Sequence, residues 1–252
     1  MILPLLSIGV IGGVFAGLFG VGGGLVMVPL LLAFTRLDQR QASATSLLAI
    51  VPTAITSAAQ YGFRGEIDVG AAALLAIGAL AGAPLGTLLL RRISLVWLKW
   101  LFIAGLALTA LRIVVEVPQR DGAVDYGAVA VVGLVGLGLL MGVVAGLLGV
   151  GGGIVAVAAL IAIFGMGDLA AKGTSLLAMI PGAIAATVAN RRAGLVVVRD
   201  GLIVGLAAAA SSFLGVLAAF WLPPAISAWL FAGLLVVAIV QMALRPTARP
   251  ES

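Results

Sequence analysis

The sequence predicts an all-α polytopic membrane protein built as two inverted repeats, each a glycine-broken helical hairpin followed by three transmembrane helices. Three observations predict it: an apolar composition without alternation, an internal duplication at constant offset, and a distribution of basic residues that favours a hairpin at each glycine cluster.

Of the 252 residues, 63% are hydrophobic and 9% charged, and the mean hydropathy is +1.30. No soluble domain of this length carries so few charges once its core is filled, so the bilayer is the solvent. The apolar stretches approach or exceed the roughly 20 residues that a helix needs to cross about 30 Å of hydrocarbon. Their Leu, Ala, Val and Gly content lacks the alternation of a membrane barrel. The start, Met1 to Pro4, has no basic region of a cleavable signal peptide, and the N-terminus is read as mature. Cys and His are both absent, which excludes disulfides, thiol and imidazole chemistry and the usual soft metal ligands. No cofactor or metal is expected, and no nucleic-acid partner either, because the 14 basic residues are scattered and form no stripe.

The duplication holds an offset of 129 residues. Gly13 to Gly24 (GVFAGLFGVGGG) returns as Gly142 to Gly153 (GVVAGLLGVGGG), and Thr45-Ser46-Leu47-Leu48-Ala49 as Thr174-Ser175-Leu176-Leu177-Ala178. Pro52 returns as Pro181, Leu85-Gly86 as Leu214-Gly215 and Trp100-Leu101-Phe102 as Trp229-Leu230-Phe231. The repeats occupy 1–115 and 126–252, joined by a polar linker at 116–125.

The uncharged run from Met1 to Thr35 is too long for one span, as is that from Tyr126 to Gly167. Thirty-five helical residues would measure roughly 52 Å at 1.5 Å each. The glycines therefore break each run, giving helices at 2–18 and 25–35, then spans near 41–61, 67–90 and 96–115. The second half repeats this at 127–147, 154–165, 170–190, 195–220 and 226–244. If each glycine run crossed as one span, the basic residues would divide six against eight. If each is a hairpin returning to its own side, they divide ten against four, with only Arg64, Arg112, Arg120 and Lys172 on the minority face. The positive-inside rule prefers the hairpin and places both termini in the cytoplasm of a cell with its multi-pass protein in the inner membrane.

Inverted repeats with matching discontinuous helices are the pattern of secondary transporters with a site at the midplane. Gly22, Gly23, Gly24 and Gly151, Gly152, Gly153 expose backbone immediately before helix N-termini, where unpaired N–H groups and about half a positive charge suit an anion. Thr45, Ser46, Thr174 and Ser175 add hydroxyl donors; back-bonding to their own helix carbonyls is the competing role. Pro52 and Pro181 break helix hydrogen bonds near mid-depth and border a cavity. These twelve residues form the expected substrate-binding set, and none is catalytic. Gln60, Tyr61 and Asn190 read as helix-end anchors, and Trp97, Trp100, Trp221 and Trp229 as an interfacial belt. The carboxylates all fall at segment ends, so none is expected deep in the membrane. An enzyme is disfavoured because no nucleophile–base pair appears at membrane depth. The expected partners are a small anionic substrate and the lipid bilayer, with a homodimer left open.

At Gly17 to Gly24 with Pro29, at Ala42 to Leu48, and at their second-half counterparts, the sequence resembles the sulfite exporter TauE/SafE family, also called the toluene sulfonate uptake permease superfamily. The resemblance covers nearly the whole chain. It implies a secondary carrier of sulfite, sulfoacetate or related organosulfonates; an anion channel of the same architecture and a carrier of non-sulfur organic anions are the alternatives. The halves differ where Ala158 replaces Pro29 and Lys172 replaces Ser43. Lys172, near the hairpin, either adds a positive charge to the substrate path or is a lysine snorkelling from a loop, and the second reading is preferred.

Overall fold

The computed structural model describes residues 2–89, 122 and 124–244, together with positions 100, 103, 104, 107 and 111. The expected span at 96–115 lies outside the continuously described residues, as does most of the linker. Among the described residues there are nine helices: α1 (Ile2–Phe19), α2 (Gly24–Phe34), α3 (Gln39–Gly62), α4 (Val69–Leu89), α5 (Ala128–Leu148), α6 (Gly153–Ala162), α7 (Asp168–Arg192), α8 (Val198–Trp221) and α9 (Pro224–Leu244). Five helices are long and apolar enough to cross a membrane over Ile2–Phe19, Gln39–Gly62, Ala128–Gly146, Asp168–Arg192 and Val198–Trp221.

Both uncharged runs break at the glycines. Gly20, Gly22 and Gly23 have φ of 71°, 75° and 76°, and Gly149, Gly151 and Gly152 have 70°, 84° and 69°. This left-handed backbone costs any other residue roughly 1–2 kcal/mol. It turns the chain so that α2 retraces α1: Met27 lies against Gly12, and Leu5 and Ile8 share a buried cluster with Val28 and Leu31. The first turn of α2 is level with Gly12, whose neighbour Gly13 packs against Ala208, near the middle of α8. Helices α2 and α6 have 11 and 10 residues. At 1.5 Å per residue each covers about 15 Å, half the hydrocarbon thickness. Each therefore begins at the middle of the bundle and ends at its rim. A hydrogen-bonded start follows for α3, where Asp38 and Gln41 make a reciprocal capping box.

Helix packing repeats with the duplication. Helix α1 lies along α8 and α5 along α4; α3 lies along α8 and α7 along α4. Small residues make these seams close, as membrane helices need in the absence of a water-driven attraction. Gly9, Gly13 and Gly17 meet successive turns of α8 from Val204 to Val216, while Gly78, Gly82, Gly138 and Gly142 interlock α4 with α5. In both seams residue numbers rise together, so the paired helices run parallel. Helices α3 and α7 instead cross in opposite senses: Ile50 and Met179 meet at the glycine turns, and Gly173 near the start of α7 lies against Tyr61 at the end of α3. Consequently, equivalent helices of the two halves run in opposite directions through the bundle.

The remainder of the linker is tied to the α7 end of the molecule. Gly167 donates its N–H to the Gly122 carbonyl, and the Tyr126 hydroxyl donates to Asp68 Oδ1. Desolvation of the phenol, then its bond to Asp68, push the Tyr126 pKa up to about 12, so this donor keeps its proton at neutral pH.

The opposed directions have a direct topological consequence. Single cysteines replacing the exposed Phe63, after α3, and the exposed Ala193, after α7, are expected to react with an impermeant maleimide from opposite faces of the membrane. Reaction of both from one face would refute the antiparallel relation of the halves.

Candidate functional site

The two glycine turns form the centre of the bundle and are buried throughout. They touch backbone to backbone. A Cβ added to Gly24 would stand 2.9 Å from the Val150 Cα and 3.0 Å from the Gly149 carbonyl oxygen. A Cβ on Gly153 would stand 3.0 Å from both the Gly20 carbonyl oxygen and the Val21 Cα. The side chains of Ile50 and Met179 close over this contact from α3 and α7.

In α2 the first N–H groups with an acceptor are those of Val26 and Met27, both donating to the Gly23 carbonyl; in α6 they are those of Val155 and Ala156, donating to Gly152. The N–H groups of Gly24, Leu25, Gly153 and Ile154 precede the first helical bonds. Two half-membrane helices thus present their positive ends at one central place, in surroundings where partial charges are weakly screened.

The expected hydroxyls are all buried, and the structure shows how they are used. Thr45 Oγ1 accepts from the Val197 N–H at 3.1 Å, and Thr174 Oγ1 accepts from the Asp68 N–H at 2.9 Å. These two bonds are equivalent under the duplication, and each fastens the start of the next helix pair. Ser46 donates to the Gly149 carbonyl at 2.7 Å, across the two halves, while Ser175 reaches the Gly153 carbonyl at 3.3 Å. The serines therefore stand directly at the turns, whereas the threonines stand at helix starts. Pro52 packs against Gly205 of α8, and Pro181 is half-buried in α7. The structure thus brings the six glycines and two serines together, and sets the threonines and prolines on the helices that frame them.

Three features differ from the sequence reading. Tyr61 is no interfacial anchor: it is fully buried, donates to the Gly17 carbonyl at 2.9 Å and meets the Phe220 ring at 5.5 Å. Lys172 does not snorkel. It is 1% exposed, and its Nζ donates to Asp168 Oδ2 at 3.0 Å and to Ser227 Oγ at 2.7 Å. Asp168, although first in its helix, is 4% exposed, and its Oδ1 has no hydrogen-bond partner among the described residues. The start of α7 is roofed by Ser227 of α9 and by the first glycine turn, which is why a segment-end carboxylate is buried here. An Asp–Lys pair four apart at a helix start was visible in sequence; Ser227, 55 residues on, carried no such signal. Ser57 Oγ, Gln60 Oε1 and Thr187 Oγ1 are also buried without partners among the described residues. By contrast Trp100, Trp221 and Trp229 are exposed, as a belt requires.

The glycine turns themselves are structural as well as functional candidates. A Cβ on Gly23 would collide with the Gly12 carbonyl, whereas Gly65, at an equal φ of 76°, has open space around it. Gly65→Ala is expected to lower stability by about 1 kcal/mol from the left-handed backbone alone. Gly23→Ala adds steric overlap and should cost about 3 kcal/mol or more. Thermal midpoints of the two purified variants in detergent check the order; equal losses would show that the hairpin tolerates side chains at its turn.

Comparison with known proteins places these features in a family context. The family model described as "Sulfite exporter TauE/SafE" matches residues 5–167 and again 134–252, so that together the matches run over nearly the entire chain. Two curated relatives from Xylella fastidiosa, strains Temecula1 and 9a5c, each bear the name "Probable membrane transporter protein" and are 33% identical over 88 residues. That segment is 35% of this chain and spans only 34% of each relative's length. No solved structure matches the chain.

Proposed function

Because the chain belongs to the sulfite exporter TauE/SafE family of membrane transporters, we propose that it is a secondary transporter moving a small sulfur-containing anion across the inner membrane by alternating access. Sulfite, sulfoacetate and related organosulfonates are the cargo class. The observation that carries this reading is the meeting of two half-membrane helix N-termini, through glycine backbone, at the centre of the bundle. A sulfonate or sulfite group has acceptor oxygens and negative charge, which unpaired N–H groups and helix dipoles stabilise in a weakly polar interior. The twelve residues named above are the binding set, with Gly22–Gly24, Gly151–Gly153, Ser46 and Ser175 nearest the centre and Thr45, Thr174, Pro52 and Pro181 holding the framing helices.

The opposed helix directions support alternating access. Two similar halves that run oppositely can exchange conformations, and the exchange turns an opening on one face into an opening on the other. The ten-to-four division of basic residues supports a cytoplasmic position for both termini.

Purified protein in proteoliposomes is expected to take up labelled sulfite or sulfoacetate with saturation and to show counterflow when loaded with unlabelled anion. Absence of flux for both anions would overturn the cargo assignment. Flux that neither saturates nor shows counterflow would replace the carrier with a channel.

A further inference from the structure

Resting on that transport reading, we infer that the Lys172 ammonium and the Ser227 hydroxyl form the charged half of the cargo site, with the Asp168 carboxylate occupying the place of the anion until cargo arrives. Burying this pair is expensive. Each ion loses several kcal/mol of hydration, and the attraction between them rarely returns more than it costs. Ionisable groups within a membrane protein's interior accordingly tend to serve a pathway or a ligand.

Fold stability does not demand the pair. At the equivalent positions the first half has Gln39 and Ser43, and Ser43 packs on the second glycine turn as Lys172 packs on the first. A Cβ on Gly149 would stand 2.5 Å from the Ser43 Cα, and one on Gly20 would stand 2.6 Å from the Lys172 Cα. The same contact is thus built once with a charge and once without. Lys172 therefore brings a cation to the edge of the central glycine backbone on one side only.

The carboxylate is bound incompletely. Its Oδ2 takes the ammonium while Oδ1 has no hydrogen-bond partner among the described residues. An oxyanion with three or more acceptor atoms can take over the Oδ2 position on the ammonium and also accept from Ser227, while the carboxylate shifts to another of the three ammonium N–H donors and stays paired. Asp168 also interacts with the buried Tyr61 near the end of α3, on which Glu66 and Arg64 of the following turn act as well. A half-open apolar cleft of about 400 Å³, lined by Phe15, Leu18, Phe19, Leu25, Leu230 and Leu234 among others, lies beside the first glycine turn, and none of the three polar residues lines it. Phe19 lines that cavity, precedes Gly20 and stacks on Phe231, one helical turn from Ser227, at a centroid distance of 6.0 Å. Movement of this aromatic pair would join cavity and ammonium.

The test separates a binding role from a structural one by removing both charges together. The double variant Lys172→Met/Asp168→Asn removes both charges of the pair together and should unfold at a temperature near that of the wild type. In proteoliposomes its KM for labelled sulfite should rise about tenfold or more, the scale of one charge-assisted hydrogen bond. Lys172→Arg should keep most of the affinity. Sulfite should also raise the thermal midpoint of the detergent-purified wild type and of Lys172→Arg, but not of the double variant. A folded double variant with wild-type KM and midpoint shift would overturn this inference and leave the transport reading standing. A wild type without flux or midpoint shift for sulfite or sulfoacetate would remove both.

Discussion

The contact on which the rest of the structure depends is the meeting of two backbones at the glycine turns. Close packing of main chain on main chain requires that neither strand carry side chains, and the left-handed φ values at these positions select glycine a second time. Once the turns meet, the short helices α2 and α6 start at the centre and leave it in opposite directions. The crossing of α3 over α7 at Ile50 and Met179 then follows, because each of these helices must cover the other half's turn as well as its own. Ser46 makes the dependence explicit by donating to a carbonyl of the opposite turn.

Among the described residues that arrangement leaves the N–H groups of Gly24, Leu25, Gly153 and Ile154 outside the helical bonds, and a buried main-chain donor without a partner usually costs several kcal/mol. A fold made only for stability would satisfy them with a side chain, yet Gly23 and Gly152 provide no capping oxygen. In the transport reading proposed above, these donors would be met by the cargo's oxygens. Mutation at the turn itself cannot separate the proposed binding role of the glycine triplets from their packing role, since any side chain there disturbs packing first.

Much of this was legible from the residues alone. The broken helices could be read because an uncharged run of 35 residues exceeds one membrane thickness, and because the triplets recur at a fixed offset. The boundaries of α2 and α6 came within a few residues for the same reason. Tyr61 and Lys172 were misread together, and for one physical cause. Position along a helix estimates depth in the bilayer, but burial at a helix end depends on what other elements cover it. Tyr61 is covered by Gly17 and Phe220, and the Lys172 pair by the first glycine turn and Ser227, none of which is close in sequence. Hydroxyl roles were hidden likewise, since whether Thr45 faces a cavity or accepts from Val197 is decided by the packing of α8.

Duplication supplies a control that a single-copy fold lacks. Wherever the halves agree, as in the threonine bonds to Val197 and Asp68 or the glycine seams of α1 with α8 and α4 with α5, the shared architecture is enough to explain the residue. Where they disagree, architecture is not enough, because the other half performs the same packing with something else. The lysine–aspartate pair is such a disagreement, and it is also the place where burial is most costly. Two equal and opposite half-sites around a single cargo would bind it without preference for either. In the proposed site, a charge on one side only would make the cargo's negative group face that side, so the departure from symmetry would set an orientation that the symmetric glycines leave undefined.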